Sequence, residues 1–323
     1  MSVARGLVGD IGGTNARFAL AEVKGGTTAL HDLRAYKVSE HPSLLDAVEA
    51  YLKDAGVRPR AAALAVAGPV ADGAVVFTNA RWSLSEVTLR AGAGFVFARL
   101  VNDFAAQALG AVHLPPEGLM RIGPEASGLR DGTIAVLGPG TGFGSAGLVR
   151  QGGVEVPVAG EGGHIAFAPC DKLEAEVWRR LARDRGRVSI ERVLSGPGLH
   201  DLYRALGEIE GIAAPLKDER AVQEAADRGD PLAVRAVERF CMILGATAGD
   251  IALVLGARGG VYVTGGVAQK LAGWIAKGGF RARFEDKGRF AGYMRAIPTF
   301  LITEPYAALI GAASLLTELE TAA

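Results

Sequence analysis

Residues 6–20, GLVGDIGGTNARFAL, decide which kind of phosphate-binding fold this chain can adopt. The apolar run GLVGDI is followed by the turn residues GGTN and then by ARFALAEV, in which Phe18 and Leu20 fall on one face. Strand, glycine turn and second strand make an antiparallel hairpin. A P-loop or a Rossmann turn would need a helix directly after the glycines, and a P-loop would also need Gly-Lys-Ser/Thr. The segment therefore predicts a phosphate-binding loop at the tip of a β-hairpin.

A second hairpin of the same design is predicted over residues 133–149, TIAVLGPGTGFGSAGLV. Two hairpins of this kind indicate an internally duplicated α/β chain in which each half supplies one phosphate loop, although Gly-Thr turns also recur by chance in a glycine-rich protein. Periodicity predicts further strands over residues 62–70, 95–101 and 259–266, and one within 295–305. The predicted helices cover residues 43–54, 104–112, 172–184, 191–206, 231–256, 267–277 and 305–319.

Composition limits the class of protein. The 323 residues exceed what one core usually serves, so two domains are expected. Lys+Arg and Asp+Glu are 35 each, and this zero net charge disfavours nucleic acid or an anionic membrane as a partner. Cys170 and Cys241 cannot build a disulfide framework or a four-ligand zinc site, so we expect reduced thiols in a cytoplasmic protein. Neither a signal peptide nor a membrane span is predicted.

The domain bounds follow from two segments. GAVHLPPEG, residues 110–118, has the proline and glycine content of an interdomain connection. RAIPTFLITEP, residues 295–305, is typical of a strand followed by the start of a closing helix that packs back on the first domain. We therefore expect a small α/β domain over residues 1–110 plus 299–323 and a large α/β domain over residues 111–298.

The hairpin loops offer the groups that phosphate needs. Gly12, Gly13 and Asn15 supply backbone N–H groups and Thr14 a hydroxyl. Asp10 precedes the loop, and its carboxylate could either hold Mg²⁺ through water or bond the backbone amides of the turn. Thr141 and Gly142 repeat the hydroxyl and the N–H in the second hairpin. Each loop is thus a candidate for part of one triphosphate.

Other polar residues follow predicted strands or glycine turns. Asn102 and Asp103 lie where a strand meets a helix, so Asp103 is either an N-cap or a carboxylate aimed at a ligand. Glu161 and His164 share the turn GEGGH, whose donors and acceptors suit a polyol, whereas a lone His is commonly structural. Glu191 stands at a predicted helix start, where the helix dipole alone would favour it.

The pair Gly265-Gly266, between a strand and a helix, allows a flat nucleoside to approach the backbone or serves as a simple turn.

Taken in order along the chain, these segments resemble the bacterial glucokinase family, which lies within the hexokinase and actin-like ATPase superfamily. The matching segments are LVGDIGGTNARFAL (7–20), LAVAGPV (64–70), TNARWSLS (78–85), LVNDFAAQA (100–108), GPGTGFG (138–144), GEGGHIAFAP (160–169), ERVLSGPGLHDLYRAL (191–206), GGVYVTGGV (259–267) and GFRARFEDKGRF (279–290). Each is weak alone, but their common order across nearly the whole chain makes coincidence a poor explanation.

The resemblance implies a two-domain α/β architecture, the actin-like ATPase (ribonuclease H-like) fold, with ATP and sugar in a cleft between the domains. It implies that Asn102 and Asp103 bind the sugar with Asp103 as the catalytic base, and that Glu161, His164 and Glu191 bind sugar hydroxyls. It further implies ATP contacts at Gly9, Asp10, Ile11, Gly12, Gly13, Thr14, Asn15, Thr141, Gly142, Gly265 and Gly266.

The implied activity is ATP-dependent phosphorylation of the 6-hydroxyl of D-glucose, with Mg²⁺ on the phosphates and Asp10 as its candidate ligand through water. The resemblance also implies a homodimer. The alternatives are a kinase for another hexose, such as mannose or fructose, and a non-catalytic sugar-binding regulator or actin-like assembly protein.

Overall fold

The structure, a computed structural model, describes residues 3–76 and 82–321. The chain forms two compact units, Met1–Glu117 with Glu304–Ala323, and Gly118–Thr303. The expected bounds were 110/111 and 298/299, and the second lies later because residues 299–302 form a strand of the second unit's sheet. Residues 78–81, the first half of the TNARWSLS segment, lie outside the described residues.

The first unit opens with strands and three helices. The strands are β1 (Ala4–Ile11), β2 (Asn15–Lys24), β3 (Thr27–Lys37), β4 (Ala61–Val66), β5 (Val70–Ala71), β6 (Ala74–Val76), β7 (Ser83–Ser85) and β8 (Phe97–Asn102). The helices are α1 (Leu44–Ala55), α2 (Glu86–Ala93) and α3 (Asp103–Ala111).

The second unit follows, and the chain then returns to the first. The strands of the second unit are β9 (Leu119–Arg121), β10 (Ile134–Pro139), β11 (Phe143–Gln151), β12 (Val154–Gly160), β13 (Gly260–Val263) and β14 (Thr299–Ile302). Its helices are α4 (Lys172–Arg185), α5 (Gly196–Glu210), α6 (Glu219–Asp227), α7 (Pro231–Leu255), α8 (Gly266–Lys270), α9 (Ala272–Ala276), α10 (Gly279–Glu285) and α11 (Ala291–Arg295). The returning helices are α12 (Ala307–Ser314) and α13 (Glu318–Thr321).

The two main sheets repeat one strand order. In the first unit the order is β3-β2-β1-β4-β8, and in the second it is β12-β11-β10-β13-β14, with β9 added at the edge. In each sheet an antiparallel hairpin pair is followed by parallel neighbours. The duplication predicted from the two hairpins is therefore present in the sheet topology.

Strand β4 explains the layering of the first unit. All its residues are buried, and they alternate between two apolar clusters. Ala62, Leu64 and Val66 face the cluster that contains residues of α1 and α2, while Ala61 and Ala63 face the cluster that contains residues of α12. A parallel sheet covered on both faces is the arrangement that such a continuous apolar run favours.

Two glycines let α12 pack on α3 at backbone distance. A Cβ on Gly110 would overlap the carbonyl oxygen of Ala307, and a Cβ on Gly311 would overlap that of Ala106. Because α12 and α3 meet in this way, the last helices complete the first unit, as expected from the closing segment.

Several predicted elements change their bounds. The helix expected over 191–206 begins only at Gly196, because Ser195 caps it by accepting the N–H of Gly198. The helix expected over 267–277 is divided into α8 and α9 at Leu271.

Both cysteines are free thiols, Cys170 exposed and Cys241 buried. Within the part of the chain that the structure describes, no helix has the length and apolar character needed to cross a bilayer.

Candidate active site

Asn102 and Asp103 lie at the carboxyl edge of the first sheet, where the sequence left Asp103 as a candidate N-cap. Asn102 is the N-cap of α3, and its Oδ1 accepts the N–H groups of Phe104 and Ala105 at 3.0 and 3.1 Å. Its Nδ2 donates to the carbonyl oxygen of Gly68 at 3.1 Å. The N-cap is thus Asn102, and Asp103 is not needed for that role.

Asp103 is the first residue of α3 and is half-buried. Its Oδ1 accepts the N–H of Phe104 at 2.9 Å. The positive end of a helix dipole favours an anion at this position. A carboxylate held at the end of a parallel strand is placed where α/β proteins bind their ligands.

The first hairpin loop lies at the same sheet edge. The register pairs Ile11 with Val66 and Val66 with Asn102, so the residues that follow these strands are neighbours. The turn is closed by the N–H of Gly12 on the carbonyl oxygen of Asn15 at 3.0 Å, and Gly13, Thr14 and Asn15 are exposed. Their polar groups are therefore accessible to a phosphate.

Gly9 and Ile11 lie in the sheet and not in the exposed loop. Both lie in β1, and Ile11 is fully buried in the core. A Cβ on Gly9 would come within 2.7 Å of Leu64 Cδ2 and 3.0 Å of Phe18 Cδ1. Packing therefore accounts for Gly9, and the exposed amides begin after Ile11.

Asp10 forms an ion pair across the hairpin. It lies opposite Arg17, whose Nη1 donates to Asp10 Oδ2 at 3.3 Å. Burial raises the pKa of the Asp10 carboxyl, and Arg17 opposes that rise. The described residues contain no cluster of three or more His, Cys, Asp or Glu arranged for a metal. A single carboxylate fits Mg²⁺, which commonly takes one or two protein ligands beside waters and phosphate oxygens.

The second hairpin loop is bonded on both sides of its tip by the segment Glu191–Gly196, which leads into α5. The N–H of Gly140 bonds the carbonyl oxygen of Gly142 at 2.8 Å, which leaves Thr141 exposed at the tip. The N–H of Gly196 donates to the carbonyl oxygen of Gly140 at 2.9 Å. The N–H of Phe143 donates to Glu191 Oε2, also at 2.9 Å.

Glu161 immediately precedes a turn of 3-10 helix, Gly162–His164, and the side chains of Glu161 and His164 are both exposed. The N–H of His164 donates to the carbonyl oxygen of Glu161 at 3.0 Å, and the N–H of Gly162 donates to Ser145 Oγ at 3.1 Å. A third contact comes from Arg187, whose Nη2 donates to the carbonyl oxygen of His164 at 2.7 Å. The turn is therefore fixed by its backbone, while its two side chains face outward.

Glu191 lies in the 3-10 turn Ile190–Arg192, and α5 starts only at Gly196. The dipole of α5, which the sequence offered as an alternative explanation, therefore does not account for a carboxylate at position 191. A bridge between Ala166 and Ser189 and the bond from Ile190 N–H to the carbonyl oxygen of Ile165, 2.9 Å long, join this turn to the preceding segment. The second unit thus brings together Glu161, His164, Glu191 and the Thr141-Gly142 loop.

Gly265 and Gly266 follow β13 beside the end of β10. Gly265 has a φ of 95°, and a Cβ there would overlap the carbonyl oxygen of Pro139. Gly266 opens α8 and has open space around its Cα. Gly265 is therefore required by the backbone, whereas Gly266 leaves room for a ligand.

Sequence reasoning gave no role to four residues that support the site. Gly68 accepts the Asn102 amide, Ser145 bonds Gly162, and Arg187 bonds His164. Ser195 Oγ donates to the carbonyl oxygen of Glu191 at 2.7 Å. Gly68 and Ser195 fall inside segments that carry the family resemblance, which is the signal that could have found them.

Comparison with known proteins identifies a family and solved structures that this chain resembles. The chain matches the glucokinase family over residues 7–319. Glucokinase of Caulobacter sp. (strain K31) is 52% identical over 318 residues, which is 98% of this chain and 96% of that protein. The crystal structure of a glucokinase from an Antarctic psychrotroph is 35% identical, with a TM-score of 0.89 over 98% of this chain and 99% of that chain.

A more distant structure shares the fold. It is a ROK family glucokinase from Streptomyces griseus in complex with glucose and AMPPNP, 20% identical, with a TM-score of 0.66 over 97% of this chain and 99% of that chain. These neighbours are sugar kinases of the actin-like ATPase fold, and the paired sheets described above have that architecture. The chain belongs to the glucokinase family.

Proposed function

We propose that this protein is an ATP-dependent glucokinase that transfers the γ-phosphoryl group of ATP to the 6-hydroxyl of D-glucose and so supplies glucose 6-phosphate to glycolysis. The observation that carries the proposal is identity of 52% to a glucokinase over 98% of the chain. Phosphoryl transfer asks a protein mainly for positioning and for neutralisation of charge.

Asp103 is the proposed base. Its carboxylate accepts the proton of the 6-hydroxyl as the oxygen attacks the γ-phosphorus and the bond from that phosphorus to the β,γ-bridging oxygen breaks, which releases ADP. A positioned general base contributes about 10²–10⁴-fold to rate. Because a carboxylate is a weak base for an alcohol, proton transfer comes late, when the forming bond from oxygen to phosphorus has already made the hydroxyl proton acidic. The bond from Phe104 N–H to Oδ1 fixes the orientation of the carboxylate for this step.

The hexose is proposed to be held by Glu161, His164, Glu191 and Asn102. Asn102 contributes one N–H at most, since its Oδ1 caps α3 and its other N–H is bonded to Gly68. Hydrogen bonds to charged groups are worth about 1.5–3 kcal/mol each. A sugar epimer that leaves one carboxylate unpaired therefore loses about tenfold or more in kcat/KM.

The nucleotide is proposed to bind along the two hairpin loops and the glycine pair. Gly13, Thr14 and Asn15 offer donors to the phosphates, while Gly12 shapes the loop because its N–H closes the turn. Thr141 and Gly142 offer further donors, and Gly266 leaves space for the nucleoside. When bound, Mg²⁺ supplies neutralising charge on the phosphates, and Asp10 would hold it through water. Gly9 and Ile11 support this site through the sheet rather than by direct contact.

Two further properties belong to the proposal. An ATP substrate and two free cysteine thiols favour a cytoplasmic location for the protein. The homodimer implied by the family stays a prediction, for which the molar mass in solution is the measurement.

A sugar panel tests the substrate. With saturating ATP, kcat/KM for glucose should exceed that for mannose and fructose by about tenfold or more, because each epimer or isomer misplaces at least one hydroxyl. A higher value for mannose or fructose would assign the enzyme to that hexose instead. Binding of glucose without any turnover would favour the sugar-binding regulator.

A further inference from the structure

The segment Glu191–Gly196 contacts the second hairpin loop at two points. Gly196 N–H bonds the carbonyl oxygen of Gly140 before the tip, and Glu191 Oε2 accepts the N–H of Phe143 after it. The tip residues Thr141 and Gly142 lie between these two bonds. A single short segment therefore determines where both ends of the loop lie.

The Glu191 carboxylate is in direct contact with this loop. A Cβ added to Gly142 would overlap Glu191 Oε2 and lie 3.2 Å from its Cδ. With Oε2 bonded to Phe143, the other oxygen of the carboxylate is the one that can serve a sugar hydroxyl. A shift of the carboxylate toward a sugar thus pulls on the Phe143 amide.

The turn that carries Glu161 and His164 also contacts Phe143. A Cβ on Gly163 would overlap the carbonyl oxygen of Phe143, so the two backbones are in direct contact. The side chain of Phe143 is itself buried in the core of the unit. Phe143 is consequently the point at which the proposed sugar residues meet the proposed phosphate loop.

We propose that Glu191 is a positioning residue for the Thr141-Gly142 loop as well as a sugar ligand, and that its bond to Phe143 couples hexose binding to nucleotide binding. The inference rests on the proposed function, because it assigns the two ligands to these residues. Coupling of this kind is reciprocal: the sugar raises the affinity for nucleotide by the factor by which nucleotide raises the affinity for sugar.

Gly142→Ala tests the link from the phosphate side. The added methyl group displaces the Glu191 carboxylate, so glucose affinity measured by calorimetry without nucleotide should fall about tenfold. Gly140→Ala is the matched control, because a Cβ at that position meets nothing within 4 Å. Its glucose affinity should equal that of the wild type.

Glu191→Gln tests the link from the sugar side. A neutral amide accepts the Phe143 N–H more weakly than a carboxylate does. Affinity for AMPPNP with Mg²⁺, measured without glucose, should therefore fall threefold or more. Glu161→Gln is the control, because its side chain belongs to the sugar set without the bond to Phe143. It should weaken glucose binding and leave AMPPNP binding within twofold of the wild type.

The outcomes separate this inference from the proposed function. If Gly142→Ala and Gly140→Ala bind glucose equally well, or if Glu191→Gln binds AMPPNP as the wild type does, the coupling role is wrong while a glucose kinase can still stand. If the wild type binds no glucose, the proposed function itself fails. Glu191→Gln replaces one carboxylate oxygen by an NH2 group of similar size, so it disturbs the fold little. It therefore keeps the inference testable even if Gly142→Ala does not fold.

Discussion

Asn102 and Asp103 are adjacent, yet the structure allows helix capping and catalysis to be measured separately. Asn102 carries the cap bonds of α3, while Asp103 carries the proposed chemistry. In Asp103→Asn, kcat should fall by about 10²–10⁴-fold, with thermal stability close to that of the wild type. Steady-state kinetics and a melting curve on the same sample check both parts.

The control for this variant is Asn102→Ala. Loss of an N-cap should lower the free energy of unfolding by about 0.5–2 kcal/mol, a change that Asp103→Asn should not show. A kcat for Asp103→Asn within about threefold of the wild type would leave Asp103 as a binding residue only.

The buried carboxyl group of Asp10 should make the protein less stable as pH rises. Burial raises the pKa of this carboxyl above its ordinary value of about 3.9, so the folded state holds the proton more tightly than the unfolded state. The free energy of unfolding therefore falls as pH rises from the ordinary pKa to the raised one. Asn cannot ionise, so the stability of Asp10→Asn relative to the wild type should increase across that window. Urea unfolding at steps between about pH 4 and 7 would contradict this if the difference stayed constant.

Sequence reasoning proposed the site residues from strands and glycine turns but did not predict their hydrogen-bond partners. Helix α3 begins at Asp103, one residue earlier than predicted, and this makes Asn102 the N-cap. No local sequence pattern fixes the first residue of a helix so closely. The bond between Glu191 and Phe143 joins residues 48 apart, so no local signal indicates it. Gly9 follows the hairpin pattern of a ligand glycine, although its environment is the packed sheet.

At the scale of elements, the β13–α8 junction depends on one of its two glycines. Gly265 has a φ of 95°, a conformation that costs a residue with a Cβ about 1–3 kcal/mol, and its Cβ would also overlap Pro139. Gly265→Ala should therefore lower the free energy of unfolding by at least that amount. Gly266→Ala should change it little, since nothing lies within 4 Å of a Cβ there. Equal denaturation midpoints for the two variants would show that β10 and α8 do not meet as described.

The elements that sequence reasoning found are those with a buried face. β1, β4, β10 and α7 carry long apolar runs, and all were predicted. The edge strands β3 and β12 were not, because their residues are exposed or half-buried throughout and show no buried side. Of the helices, α2, α6, α10 and α11 were missed, the first two although Ser85 and Asp218 supply ordinary cap signals before them.

At the scale of the whole molecule, the duplication of the two sheets was predicted from two hairpin motifs, each a buried strand, a glycine loop and a return strand. The common order of the parallel strands beyond each hairpin was not predicted, because it depends on pairing between segments far apart in the chain. The domain bounds were less accessible to prediction, since residues 299–302 join the second sheet through pairing with residues 261–263 far back in the chain.

The most direct test of a glucose-phosphorylating enzyme is release of ADP from ATP and Mg²⁺ with and without glucose, followed in a coupled assay. The wild type should release one ADP for each glucose 6-phosphate formed, with little release when glucose is omitted, and Asp103→Asn should reduce both products together. ADP release that is independent of glucose, or no release when glucose is present, would contradict the account.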